Sequence, residues 1–125
     1  MADGAQELPG RFDVISTLDV VHDAVDPAGL VAGIRRALAD DGLYLMLEIS
    51  CEDDPAQNQG PLATVMYGFS VLYCMTTSLA HGGAGLGTCG CPPAVVQELG
   101  GSAGFGSVRE LPIEDPFNRL YELKP

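Results

Sequence analysis

The sequence predicts an α/β fold: a short parallel unit followed by a C-terminal antiparallel hairpin. The first observation is the order of patterns between Phe12 and Ile49. An apolar strand-like run is followed by a run with four-residue spacing and then by a second apolar run. Two strands joined through a helix lie parallel in one sheet. The second observation is the pair of strand-like runs Ser107–Ile113 and Phe117–Leu123, separated only by Glu114-Asp115-Pro116. So short a connection allows only antiparallel pairing. With 125 residues, 46% of them hydrophobic, the chain suits one domain with a core.

Met1 to Arg11 is a polar lead broken by Gly4, Pro9 and Gly10. Phe12 to Leu18 reads as a buried parallel strand whose end turns polar, through Ser16, Thr17 and Asp19 to His22 and Asp23. In open α/β sheets ligands sit beyond the carboxyl ends of the strands. Asp26-Pro27 is a helix start, with Asp as N-cap and Pro in the first turn. Leu30, Ile34 and Leu38 form one buried stripe, widened by Val31 and Ala37, and Arg35 and Arg36 suit the negative end of the helix dipole. Gly42 is expected to stop this helix. Leu43 to Ile49 is apolar except for Glu48, as in a central strand covered on both faces.

Cys51 to Gly60 reads as a loop. The uncharged run Pro61–Ala80 is long enough to span a bilayer. It carries several Ser and Thr residues, has no close Lys or Arg anchor, and follows three acids, so a buried or pocket-lining helix is expected. The glycine-rich tract His81–Pro93 follows, then a short helix around Val95, Val96 and Leu99 that ends in the glycines near Gly100 to Gly104.

Seventeen acids against six Lys and Arg give a net charge of −11. This argues against a nucleic-acid partner, which needs basic residues, and against an anionic membrane surface. The first ten residues lack the basic and apolar regions of a secretory signal, so a reduced cytoplasmic setting is expected. Cys89 and Cys91 form a C-x-C with no second pair or nearby His to complete a zinc pattern, so no metal is expected.

Several residues are able to carry chemistry. His22, flanked by Asp19 and Asp23 at a strand end, is either a site residue or a structural histidine. Glu48 is either a crevice carboxylate at the same end of the sheet or a solvated terminus. His81, Tyr67 and Tyr73 are candidates for a substrate pocket. Gly83-Ala-Gly85-Leu-Gly87 matches a G-x-G-x-G pattern, but it follows a helix and precedes Thr88-Cys-Gly-Cys-Pro-Pro93, which cannot begin a helix at once. A flexible loop or lid is the expected reading, with a nucleotide loop as the alternative.

The run FDVISTLDVVHDAVDPAGLVAGIRRALADDGLYLMLEI resembles the second half of a class I S-adenosylmethionine-dependent methyltransferase. The matching features are an FD-led strand, an H-containing turn, a D-P helix start and an apolar strand ending in Glu. The FSVLYCMTTSL helix, the HGGAGLG tract, AGF-x-x-VR and the terminal DPFNRLYELKP extend the likeness to nearly the whole chain. Together they resemble a bacterial branch that often carries an N-terminal winged-helix, regulator-like domain. The resemblance implies strands 4 to 7 of a Rossmann-like methyltransferase sheet, with residues 1–125 as the C-terminal part of the domain.

It further implies that Asp3 and Gly4 meet the adenine, that Thr17, Leu18 and Asp19 meet the methionine part of the cofactor, and that His22 closes over it. His22, Glu48 and His81 are the base candidates for methyl transfer to a small-molecule acceptor, and Tyr67 and Tyr73 are the candidates for the substrate pocket. The glycine loop and ribose-holding acid of the family have no counterpart in these residues. Binding of S-adenosylmethionine is therefore expected only with a second polypeptide, or the chain is an inactive remnant or interaction module. The Phe12–Leu18 edge is the expected place for a partner strand or for self-association.

Overall fold

The structure, a computed structural model, describes residues 8 to 125. Asp3 and Gly4 lie outside the described residues. A four-stranded sheet in the order β1-β2-β4-β3 carries helices on one face. The strands are β1 (Phe12–Leu18), β2 (Leu38–Ile49), β3 (Ser107–Leu111) and β4 (Asn118–Lys124). β1 and β2 pair parallel, and β4 runs antiparallel to both β2 and β3. The expected parallel unit and terminal hairpin are thus both present.

Helix α1 (Pro27–Ala37) joins β1 to β2. Its start follows the sequence: Asp26 Oδ1 accepts the Gly29 N–H at 2.8 Å, and Pro27 occupies the first turn. Its end corrects the expectation, because the helix stops at Ala37 rather than at Gly42. Leu38 is already extended and pairs with Phe12, and its carbonyl accepts a hydrogen bond from Arg11 Nη1 at 2.8 Å. The pairing then skips from Leu38 to Leu43, leaving an irregular stretch on β2. Gly42 serves this irregularity: a Cβ there would stand 3.0 Å from the Ala39 carbonyl oxygen.

The core lies between the sheet and two helices, α1 and a helix at Pro93–Ser102. Val31 and Ile34 from α1 and Val96 from the later helix meet Tyr44 and Met46 of β2 and Tyr121 and Leu123 of β4. Phe105 closes one end, with its ring centroid 5.9 Å from that of Tyr44 and the Arg35 guanidinium above it. The opposite face of the sheet corrects the expectation of a strand covered on both sides. Strand alternation puts Val14 and Leu18 there beside Leu43, Leu45, Leu47 and Leu120. Val14 is 56% exposed and Leu18 63%, so nothing among the described residues covers them.

The run after the loop forms one helix, α2 (Gly60–Ala80), with a wide π turn at Ser70–Cys74. The Pro93–Ser102 helix is α3. Helix α2 is long and apolar enough to cross a membrane by length and composition. The expected burial is not found, since Val65, Phe69, Leu72, Tyr73 and Leu79 are at least half exposed. What α2 turns inward is a narrow stripe of small residues, Ser70, Cys74 and Ser78, spaced one turn apart.

Candidate functional site

The site lies at the carboxyl ends of β1 and β2. The Asp19 amide donates to the Leu47 carbonyl at 2.9 Å, extending the ladder one step past β1. Asp19 then takes a left-handed backbone (φ 53°), which ends the strand and turns the chain across the sheet. Its Oδ1 accepts from Asn118 Nδ2 at 2.7 Å, so the side chain points toward β4. Burial and the nearby Glu48 charge raise the Asp19 carboxyl, while His22 and the Asn118 bond act against them.

Val21–Asp23 forms a single 3₁₀ turn that lays His22 over the end of β2. Glu48 waits there, wholly buried. Its Oε1 accepts the Val21 N–H at 2.8 Å, and its Oε2 lies 2.6 Å from His22 Nδ1. With Oε1 occupied by a donor, the carboxylate acts as acceptor on both sides, and His22 Nδ1 carries the hydrogen. His22 Nε2 faces Asp23 Oδ1 at 3.4 Å. Burial by itself lowers the basicity of His22. The Glu48 bond and the charges of Glu48, Asp23 and Asp19 outweigh it and raise the ring above 6.5. The arrangement holds an imidazole in one tautomer and stabilises the proton it takes up at Nε2.

Further contacts surround this pair. The Cys74 sulfur lies within 4.8 Å of an Asp23 carboxylate oxygen and accepts the Thr88 hydroxyl at 3.1 Å. Thr88 N–H donates to Ser70 Oγ at 3.2 Å. Ser78 Oγ donates to the Ala24 carbonyl at 3.2 Å and accepts the Gly85 N–H at 3.1 Å. The inward stripe of α2 therefore stitches the glycine-rich tract beside His22. At Gly87 (φ 77°) a Cβ would run into Ser70 Oγ, so only glycine passes there. The tract spends its amides internally, with Ala84 N–H on the Val25 carbonyl at 3.0 Å and Gly90 N–H on the Gly87 carbonyl at 2.8 Å. Those amides are not left free for a phosphate, which speaks against a nucleotide loop at Gly83–Gly87.

His22, Asp23 and Cys74 each offer one atom able to hold a metal, all within 4.8 Å of one another. The spacing of the cysteines gave no sign of this trio. Asp23 Oδ1 lies 3.4 Å from His22 Nε2, and Cys74 accepts the Thr88 hydroxyl.

The structure brings His22 and Glu48 together, with Asp19 beside them. It separates the other candidates. The Thr17 hydroxyl is paired with the Tyr44 phenol at 2.7 Å, and Leu18 lies exposed on the open sheet face. His81 is exposed at the end of α2, its Nδ1 bonded to the Thr77 carbonyl at 2.8 Å. Tyr73 is 63% exposed on the outer side of α2. Tyr67 is half-buried and its hydroxyl accepts from Asn58 Nδ2 at 3.1 Å. Asn58 lines a cleft of about 220 Å³ together with Cys51, Glu52, Leu62, Cys89 and Pro116.

No family model matches the sequence, and no curated protein matches it. Solved structures do. TnmH matches at TM-score 0.75 and 19% identity, covering 97% of this chain and 32% of that one. An O-methyltransferase family protein from Burkholderia thailandensis matches at 0.65 and 20% identity, covering 93% of this chain and 31% of its own. The trans-methyltransferase CalH, solved in complex with SAH, matches at 0.63 and 22% identity, covering 97% and 33%. The chain thus spans about one third of the length of the structures it matches. It has a partial methyltransferase fold.

Proposed function

We propose that this partial methyltransferase fold supplies the acid–base side of an O-methyl transfer, with His22 as the general base and Glu48 as its positioning residue. The observation that carries the reading is the His22 Nδ1–Glu48 Oε2 contact of 2.6 Å, buried at the carboxyl ends of two parallel strands. A hydroxyl acceptor must lose its proton as its oxygen attacks, and a fixed imidazole provides for that loss. Nδ1–H is held by Glu48, which leaves Nε2 as the atom that receives the acceptor's proton. The imidazolium formed lies between the Glu48 and Asp23 carboxylates. The acceptor is a small hydroxylated molecule, with the cleft beside Cys51 and Asn58 as its place of entry.

S-adenosylmethionine, when bound, supplies an electrophilic methyl group. The residues described here do not enclose such a cofactor: the cleft of about 220 Å³ is smaller than sites that bury a drug-sized ligand. The Thr17 hydroxyl and Asp19 Oδ1 are already paired with Tyr44 and Asn118. Cofactor binding in this reading needs a second polypeptide against β1 and the open sheet face.

The test replaces the corresponding third of CalH with this chain and measures methyl transfer by the hybrid. His22→Gln in the active hybrid is expected to lower kcat by about 10²- to 10⁴-fold, the usual worth of a positioned base. A variant as fast as its parent removes the assignment. A second reading, that of an interaction module without activity, is favoured by the exposed apolar residues Val14 and Leu18 on the open face. It predicts that the hybrid folds and binds SAH but transfers nothing.

A further inference from the structure

We propose that Cys51 and Cys89 form a reversible disulfide under peroxide, fastening the end of β2 to the glycine-rich tract beside the His22 site. The two cysteines are 38 residues apart, and the fold brings them together. Cys51 lies two residues past the end of β2 and is buried, and its Sγ donates to the Cys89 carbonyl at 3.5 Å. Cys89 sits on the turn closed by the Gly90 N–H to Gly87 carbonyl bond. Both cysteines line the cleft of about 220 Å³, which gives a small oxidant access.

The pair is chemically unequal, as an attacking and a resolving thiol must be. The neighbouring Cys51 thiol lowers the Cys89 thiol to about 7 against the effect of burial, and His22 lowers it further. The neighbouring Cys89 thiol, with burial, pushes the Cys51 thiol up. Cys91 is buried among core residues and pushed up by that burial, and Cys74 is buried with its sulfur on the Thr88 hydroxyl.

The chemistry balances with hydrogen peroxide as oxidant. The Cys89 thiolate attacks one peroxide oxygen. The O–O bond breaks, hydroxide leaves and is protonated to water, and a sulfenic acid remains. The Cys51 sulfur then attacks the Cys89 sulfur, forming the S–S bond, and the hydroxyl departs as water with the Cys51 proton. The thiols lose two electrons and the peroxide gains them. The bond would hold the tract fixed against the strand end, narrowing the cleft without touching the His22–Glu48 pair. The inference stands apart from the methyl-transfer reading, because it requires only the thiol geometry.

The test treats the full chain with one equivalent of hydrogen peroxide, alkylates under denaturing conditions and maps chymotryptic peptides by mass spectrometry. The expected result is a dominant Cys51–Cys89 cross-link, two hydrogens lighter than the free peptides and reversed by dithiothreitol. Cys51→Ser and Cys89→Ser should each abolish it, and Cys91→Ser should leave it unchanged. A cross-link that maps to Cys74 or Cys91 overturns the proposal, as does one that survives Cys89→Ser. So does full alkylation of both thiols after treatment.

Discussion

At the scale of single residues, the decisive feature is that one carboxylate serves two donors. Glu48 fixes the Val21 amide and the His22 ring together, so the turn and the imidazole orientation depend on each other. His22 was visible in the sequence as a histidine between acids at a strand end, and Glu48 as the polar exception in an apolar run. Their distance was not, because it depends on a turn entered through the left-handed Asp19, a conformation that an aspartate's sequence context does not announce. The Cys74–Thr88 contact beside Asp23 was equally hidden, since its members come from three separate segments.

A pH consequence follows from the raised His22 basicity. As a base His22 must be neutral, so methyl transfer by the active hybrid should rise with pH through a value above 6.5. The stability effect has the opposite sign. The gain from charged His22 is complete below its unfolded value and is lost as pH rises through the raised folded one. The melting-temperature gap between the native chain and His22→Gln should therefore be larger near pH 6 than near pH 9. A gap that widens with pH contradicts the charge arrangement.

At the scale of elements, α1 was read well at its start and poorly at its end. Asp26-Pro27 is a local signal, and the cap it promises is present at 2.8 Å. Asp26→Ala should cost about 1 kcal/mol in urea unfolding, and a loss near zero would contradict the cap's role. The helix end is decided by tertiary pairing of Leu38 with Phe12, which no local pattern reports. Helix α2 shows the same division. Its apolar run announces a helix, but composition does not say how many neighbours surround it. Here its contacts run through Ser70, Cys74 and Ser78, small residues chosen for close approach to the tract. The Gly83–Gly87 pattern invited a ligand reading, yet those glycines serve packing: Gly87→Ala should loosen the tract, seen as faster amide exchange at Thr88.

At the scale of the whole molecule, the sheet is finished on one side and open on the other. The helices cover Tyr44, Met46, Tyr121 and Leu123, while among the described residues Val14 and Leu18 stand exposed beside an unpaired β1 edge. The chain spans about one third of the structures it matches, and in the proposed reading a further polypeptide settles on this face. If so, the lone chain should self-associate as its concentration rises. The double variant Val14→Lys, Leu18→Lys should keep it monomeric in sedimentation velocity, whereas equal association by both would place the sticky surface elsewhere, with exposed α2 as the next candidate. The central claim rests on the buried pair, and a direct measurement is available on the chain as it stands. His22 is titrated by its imidazole carbon-bound proton resonance in the native chain and in Glu48→Gln, with folding checked by circular dichroism. The native value should lie above 6.5 and the variant's lower, since the Glu48 charge is lost while the burial remains. Identical titration of the two folded proteins would contradict it.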